Sequence, residues 1–306
     1  MDITLHAGKL SGRYKILVFK SDDCVYSSDW FDNLLTDTGM DQICNSPLGT
    51  GGVPYLFPYA FVGTGNTTPT FTDTSLDQYL ATSGKVESTG TLSYVYGTVP
   101  YWRYVRTYTF TAGTVTGKLA EVGVGYSSST LFSRALIADA AGNVSPVTVL
   151  SDEGIQLIYE LRSYINPDDV AGSVTIAGNI PGIEATYATV TRPAAMTTAK
   201  TINIGVGYAH TNVALYSGAI QANNLVPLGS STSLTTYAAP NAYTPGSFTC
   251  TVPFTFLETD GNYVGGVPAV RVSNSQCDFQ IGFTPPIPKS ASYILSFNIT
   301  FVYSRA

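Results

Sequence analysis

The stretch YILSFNITFVYS, residues 293–304, is the clearest strand in the sequence. Large apolar side chains occupy every second position from Tyr293 to Tyr303, and short polar side chains dominate the positions between them. Because side chains point alternately to the two faces of a strand, this period of two predicts a half-buried β-strand. At about 3.3 Å per residue the strand spans on the order of 35 Å, long enough to cross a whole domain.

The same pattern recurs along the chain. Aromatic side chains occupy four of the five alternate positions from Trp102 to Phe110, with Arg106 at the fifth. Apolar side chains alternate from Ile155 to Leu161, with Gln156 and Glu160 on the opposite face. Such alternation is typical of antiparallel sheets with one buried face. The segments that alternate in this way, or that form a short continuous apolar run, are 13–20, 58–62, 101–110, 119–126, 131–137, 155–161 and 293–303.

Two segments have the features of short helices. Asp29 is a suitable N-cap for apolar residues that recur at helical spacing over 30–35; Gly39 then interrupts, and Met40 and Ile43 fit a second turn. Thr74 is a suitable cap for residues 74–80. The sequence therefore predicts an all-β protein, built mainly of antiparallel β-sandwich-like domains, with a few short helices.

The chain of 306 residues is long enough for two domains. Asn166-Pro167-Asp168-Asp169 is the best boundary, because proline removes a ladder donor and aspartate favours turns. We therefore predict an N-terminal β-rich domain with short helices at 1–166 and a C-terminal β-sandwich-like domain at 167–306. The sequence GVGY occurs at 123–126 and again at 205–208, through either duplication or chance.

The chain is poor in charge. Only 12% of its residues are charged, about half the usual share, and its net charge is −6. An acidic chain with no basic run argues against binding to nucleic acid. The first residues lack the pattern of a signal peptide, and no apolar run approaches a membrane span. We expect synthesis in a cytoplasm, no membrane insertion, and a surface with little electrostatic barrier to association.

The residues that bind metals or cofactors are sparse and scattered. Cys24, Cys44, Cys250 and Cys277 lack CxxC spacing, and we expect four unpaired thiols. Close ligand pairs or histidine partners are missing, so we predict no metal site and no cofactor.

Catalytic motifs are missing as well. No GxSxG motif occurs, His6 lies in an N-terminal tail, and His210 lies in a predicted turn. Most acidic residues lie in turn sequences. We therefore predict no catalytic residue. Because a glycosidase needs only two carboxylates, a polysaccharide-degrading enzyme stays open as a less favoured alternative.

Glu121 and Arg134 are charged residues within apolar strand segments. In a chain so poor in charge, an acid and a base in such places indicate a paired bridge. The favoured interpretation is a salt bridge within one domain, which holds geometry more than it adds stability. The alternative is a contact between subunits.

Three segments of the first half, taken in order, resemble structural proteins of tailed-bacteriophage virions. The first is WFDNLLTDTGMDQI at 30–43, and the second is FVGTGNTTP at 61–69, closed by TDTSL at 72–76. The third is AEVGVG at 120–125, followed by LFSRA at 131–135 and the strand at 155–164. Together they lie within residues 28–165.

The resemblance implies a structural component of a phage particle, of the tail-fibre, baseplate or neck type. It implies no catalytic residues and a location in the virion after assembly in the host bacterial cytoplasm. The implied partners are other tail proteins and copies of the chain itself, in a homo-oligomer for which we predict a trimer. A receptor-binding module for a host surface glycan or pilus is the alternative.

Overall fold

The computed structural model describes residues 1–45, 56–86, 90–176, 186–195, 213–223, 225–234, 241–273 and 278–306. Over these ranges the chain forms 21 strands and one helix. All strand pairs are antiparallel except one. The prediction of an all-β protein with mainly antiparallel sheets is therefore confirmed.

The elements of the first half follow one another closely. They are β1 (Asp2–Lys20), β2 (Asp23–Ser27), β3 (Phe31–Asp32), β4 (Leu34–Leu35), α1 (Asp37–Asn45), β5 (Tyr59–Gly63), β6 (Tyr79–Thr82), β7 (Gly90–Val95), β8 (Tyr101–Phe110), β9 (Gly117–Leu119), β10 (Glu121–Ser127), β11 (Thr130–Leu136), β12 (Val147–Val149) and β13 (Glu153–Tyr164).

The second half contains strands alone among its described residues. They are β14 (Val170–Thr175), β15 (Thr186–Ala195), β16 (Val213–Tyr216), β17 (Ser231–Ser233), β18 (Thr249–Phe256), β19 (Val267–Ser273), β20 (Asp278–Ile287) and β21 (Leu295–Arg305).

Three large sheets account for most strands. The central sheet has the order β18-β21-β1-β13-β8-β7, and β2 and β3 pair with β1. The N-terminal sheet has the order β4-β11-β10-β5-β6, and the C-terminal sheet has the order β14-β15-β20-β19-β16-β17. Strands β9 and β12 form a small separate pair.

The long strand β1 joins the two ends of the chain. Its residues 9–20 pair with β13, and its first residues pair in parallel with β21, the only described parallel pairing. The register with β21 shifts between His6 and Gly8, where β1 has one extra residue. In a regular strand, residues five positions apart point to opposite faces. Because of this bulge, Leu5 and Leu10 nevertheless both face the core.

The inner face of the central sheet packs against both other sheets. Phe132 of β11 lies 6.5 Å from Tyr159 of β13, measured between ring centroids, and Phe57 lies 4.9 Å from Tyr159. On the other side, Phe283 of β20 stacks at 6.3 Å on Phe297 of β21. One continuous apolar core therefore extends through all three sheets.

The first predicted helix is wrong over 30–35 and confirmed in its second turn, since Met40 and Ile43 lie in α1, whereas the second predicted helix is wrong. Residues 31–32 and 34–35 form β3 and β4, because Phe31 pairs with β1 and Leu35 pairs with β11. The helix α1 starts later, and the Thr36 hydroxyl, not Asp29, caps it by accepting a hydrogen bond from Gly39 N–H. Residues 74–78 form turns and lead into β6.

The predicted domain boundary lies between two strands. Residues 165–169 connect β13 to β14 without strand structure. The central sheet nevertheless contains strands from both sides of the boundary. Independent folding of residues 1–166 stays a prediction. The second GVGY motif and His210 lie outside the described residues.

The described cysteines form no disulfide with one another. Cys24 is exposed, whereas Cys44 of α1 and Cys250 of β18 are buried. Burial raises the pKa of the Cys250 thiol to about 12 and also raises the pKa of the Cys44 thiol. Cys277 lies outside the described residues. Within those residues no helix is both long and apolar enough to cross a membrane.

Gly39 sets the distance between α1 and the N-terminal sheet. A Cβ atom at this position would lie 2.1 Å from the Phe132 carbonyl oxygen of β11. We expect Gly39→Ala to lower the free energy of unfolding by about 1–3 kcal/mol, because overpacking outweighs the better helix propensity of alanine. Gly84→Ala is the control, since no atom lies within 4 Å of its added Cβ. Urea unfolding measures both, and an unchanged midpoint for Gly39→Ala would contradict the close contact.

Candidate functional site

The structure brings Glu121 and Arg134 together on the outer face of the N-terminal sheet. Glu121 is the first residue of β10. Arg134 of β11 pairs with Gly123, which lies two residues further along β10. The neighbouring Val122 and Val124 point into the main core, so the two charged side chains point away from it. The loop 64–78 covers this face, and only 0% of Glu121 and 2% of Arg134 is exposed.

Arg134 is paired with two carboxylates. Its Nη2 lies 2.7 Å from Oε2 of Glu121, and its Nη1 lies 2.6 Å from Oδ2 of Asp73 in the loop. The same guanidinium donates hydrogen bonds to the carbonyl and hydroxyl oxygens of Thr67, both at 3.1 Å. We call Glu121, Arg134 and Asp73 the ion cluster.

Glu121 binds the backbone of the loop at both of its ends. Its Oε1 accepts hydrogen bonds from Gly65 N–H at 3.1 Å and Gln78 N–H at 2.7 Å, and its Oε2 accepts one from Asp77 N–H at 3.0 Å. A Cβ at Gly63 or Gly65 would lie within 2.6 Å of Oε1. The glycines of the VGTG motif therefore allow the backbone to approach the buried carboxylate.

Mutual pairing compensates the burial of these charges. Burial alone would raise the pKa of Asp73, but hydrogen bonds from Thr70 and the adjacent Arg134 outweigh it and hold that pKa below its ordinary value. Burial would likewise lower the pKa of Arg134, and its two carboxylate partners raise it instead. Asp73 and Arg134 are therefore both charged at neutral pH, and the loop closes over the cluster.

The ion cluster positions backbone and offers no reactive group. Glu121 is fully buried, and its oxygens accept hydrogen bonds from three backbone N–H groups and from Arg134. Glu121 and Asp73 both bind the same guanidinium, so this pair does not present a carboxylate to a substrate. Its chemical role is to hold the loop 64–78 in one conformation.

The ion cluster lies where the second and third of the three segments quoted above meet. Glu121 and Arg134 belong to the third segment, and the loop that they bind is the second. Thr36 of the first segment donates a hydrogen bond to the Leu131 carbonyl at 3.0 Å. Sequence reasoning identified the pair but missed Asp73, which stands in the TDTSL segment where a helix cap was expected.

An apolar depression lies beside the loop. It has a volume of about 340 Å³ and opens next to a small cluster of buried side chains outside the main core. Its walls are Phe61, Leu76, Leu131 and Tyr79, with serines 75, 128 and 129 at its rim. Tyr79 is 56% exposed at its mouth. A site of this size and polarity suits an apolar side chain.

Comparison with known proteins adds no relative. No protein-family model, curated protein or solved structure matches the chain. Among the described residues, no group of three or more His, Cys, Asp or Glu side chains is placed to hold a metal ion.

Removing the charge of Glu121 should release the loop. We expect Glu121→Gln to lower the free energy of unfolding by roughly 3–5 kcal/mol, because it leaves Arg134 buried beside a neutral partner and turns one acceptor into a donor. Glu258→Gln, at an exposed position, is the matched control. Chemical denaturation of both variants measures the difference. A loss for Glu121→Gln no larger than that of the control would show that the ion cluster does not hold the loop.

The contribution of Asp73 to stability should depend on pH. Its pKa is lower in the folded protein than in the unfolded chain, so its contribution is fully present above the ordinary value of about 3.9. That contribution is lost as the pH falls through the lowered folded pKa. Unfolding measured against pH should therefore show wild type more stable than Asp73→Asn near neutrality, with the gap closing in acid. Asp168→Asn, at an exposed position, is the control variant.

Proposed function

We propose that the chain is a structural component of a bacteriophage particle, in a fibre, baseplate or neck of the tail, and that it acts by protein–protein assembly. The observation that carries the proposal is that the three resembling segments pack together: the second and third meet at the ion cluster, and the first pairs with β11. Segments whose first residues lie up to 90 positions apart in sequence, from position 30 to position 120, form one structural unit. Loops held by rigid scaffolds commonly carry binding functions.

The surface around the loop favours a role in assembly. Phe71 at the loop tip and Leu80 of β6 are large apolar side chains that stand substantially exposed. Phe71 lies on the loop that lines part of the apolar depression, and Leu80 follows Tyr79 on β6. Exposed apolar groups beside a depression are typical of contacts with other proteins. The proposed partners are other tail proteins and copies of the chain itself, in a homo-oligomer such as a trimer.

An aromatic group at the edge of the central sheet favours a second candidate, a receptor-binding module for a host surface glycan or pilus. Tyr94 of β7 makes edge-to-face contacts with Tyr96 at 4.8 Å and with Trp102 at 5.1 Å, between ring centroids. Tyr96 is 76% exposed. A rigid, exposed aromatic ring is suited to binding sugars or proteins.

The decisive experiment examines the particle. Purified virions should contain this protein in several fixed copies, as measured by quantitative mass spectrometry. Deletion of its gene should stop completion of the tail, as seen by electron microscopy, and supply of the wild-type chain should restore complete tails. A chain found only in infected cells and absent from virions would contradict the proposal.

The same system separates the two candidates. If deletion leaves complete particles that fail to attach to the host, the receptor-binding candidate is favoured. Complementation with Tyr96→Ala tests it directly, because loss of attachment by otherwise complete particles would identify the aromatic group as the receptor contact. Tyr293→Ala is the control, as Tyr293 is a partly exposed tyrosine in the segment before β21, away from the aromatic group.

A further inference from the structure

The outer face of the central sheet carries a cluster of arginines around one buried acid. Glu160 of β13 is almost fully buried, and its oxygens lie 3.0 Å from Nε of Arg13 and 2.6 Å from Nε of Arg162. Arg103 of β8 approaches the same carboxylate at 3.9 Å. Glu160 and Arg162 lie two positions apart on β13, Arg13 of β1 pairs with Glu160, and Arg103 of β8 pairs with Arg162. All four side chains therefore lie on one face of the sheet. We call the three arginines and Glu160 the arginine patch.

Neighbouring side chains hold the guanidinium groups in place. Arg13 lies over the ring of Trp30 at 4.2 Å, and Arg162 lies over the ring of Tyr101 at 5.1 Å. Arg103 Nε donates a hydrogen bond to Ser93 Oγ at 2.9 Å. Arginines already ordered by stacking and hydrogen bonds lose little conformational entropy when a partner binds.

The patch is positively charged on an acidic protein. Three arginines and one glutamate give +2, so the rest of the chain, whose net charge is −6 in total, carries −8. Lys15 and Asp32 stand on the same face beside Arg13, and their charges cancel. A second copy of the chain therefore offers an acidic surface that complements the patch.

The hairpin formed by the end of β1 and by β2 carries exposed acidic side chains at its turn. Asp22 and Asp23 are exposed, and no described basic side chain forms an ion pair with them. The same hairpin exposes Val25 and Tyr26. It combines negative charge with apolar surface, the complement of a patch made of arginine, tryptophan and tyrosine.

We propose that the arginine patch of one copy binds the acidic hairpin of a second copy. Because the patch and the hairpin are different surfaces, the contact is head-to-tail, and a rotation that closes it yields a ring. The inference rests on the proposed role in assembly and identifies the surfaces that perform it. Leu17, Val105 and Ile158, half-buried on the same sheet face, add apolar area next to the charges.

Self-association of the full chain tests the proposal. Sedimentation equilibrium should show an oligomer at low ionic strength, with an association that weakens as salt rises from about 0.05 M to about 0.5 M. Arg103→Gln is the informative variant, because Arg103 is 42% exposed and Glu160 keeps its two closer partners. It should weaken association about tenfold, the usual effect of losing one charged contact at an interface.

Lys118→Gln is the matched control, since it removes one positive charge from an exposed position on β9. It should change the association constant by less than about twofold. A combined Asp22→Asn and Asp23→Asn variant should weaken association as Arg103→Gln does. Adding Arg103→Gln to it should cost less than the two changes separately, because both remove the same contact.

Three outcomes would overturn the proposal. They are a monomer at every concentration and salt, equal losses for Arg103→Gln and Lys118→Gln, and fully additive effects of the arginine and hairpin changes. These outcomes concern the purified chain in solution. Absence from virions would contradict the proposed function instead and would leave the solution result unchanged, so the two failures are distinguishable.

Discussion

The backbone pairing of β1 is the constraint on which the rest of the structure depends. One edge of this strand hydrogen-bonds to β13, and the other edge bonds in turn to β21, β3 and β2. The central sheet is complete only when the first and last strands of the chain lie side by side. The other two sheets cover its inner face, so their positions follow from it. Such long-range pairing costs loop-closure entropy before any core forms.

The ion cluster has a more local role than the pairing of β1. Glu121 and Arg134 stand on the outer face of the N-terminal sheet, where the loop 64–78 has no long strand of its own. A loop of this kind has backbone N–H groups that need partners, and the Glu121 carboxylate accepts three of them. The cluster thereby orders a surface that would otherwise have many conformations, and it adds specificity more than net stability.

The helix predictions for 30–35 and 74–80 failed because tertiary contacts satisfied the backbone in other ways. Apolar residues spaced three or four apart over 30–35 fit either a helix or two short strands, and pairing with β1 and β11 decided for strands. In residues 74–78 the Glu121 carboxylate accepts hydrogen bonds from the backbone N–H groups of Asp77 and Gln78, so these groups need no helical partner. The start of β1 was missed because the bulge between His6 and Gly8 breaks the period of two.

The sequence by itself determined the fold class, because alternation such as that from Tyr293 to Tyr303 is compatible only with strands that bury one face. It also indicated that Glu121 and Arg134 pair, since isolated charges are costly inside apolar strands. Only the tertiary structure decided which strands are neighbours, that Asp73 joins the pair, and that three arginines converge on Glu160. These arrangements depend on register between segments far apart in sequence, and periodicity within one segment carries no information about its partner.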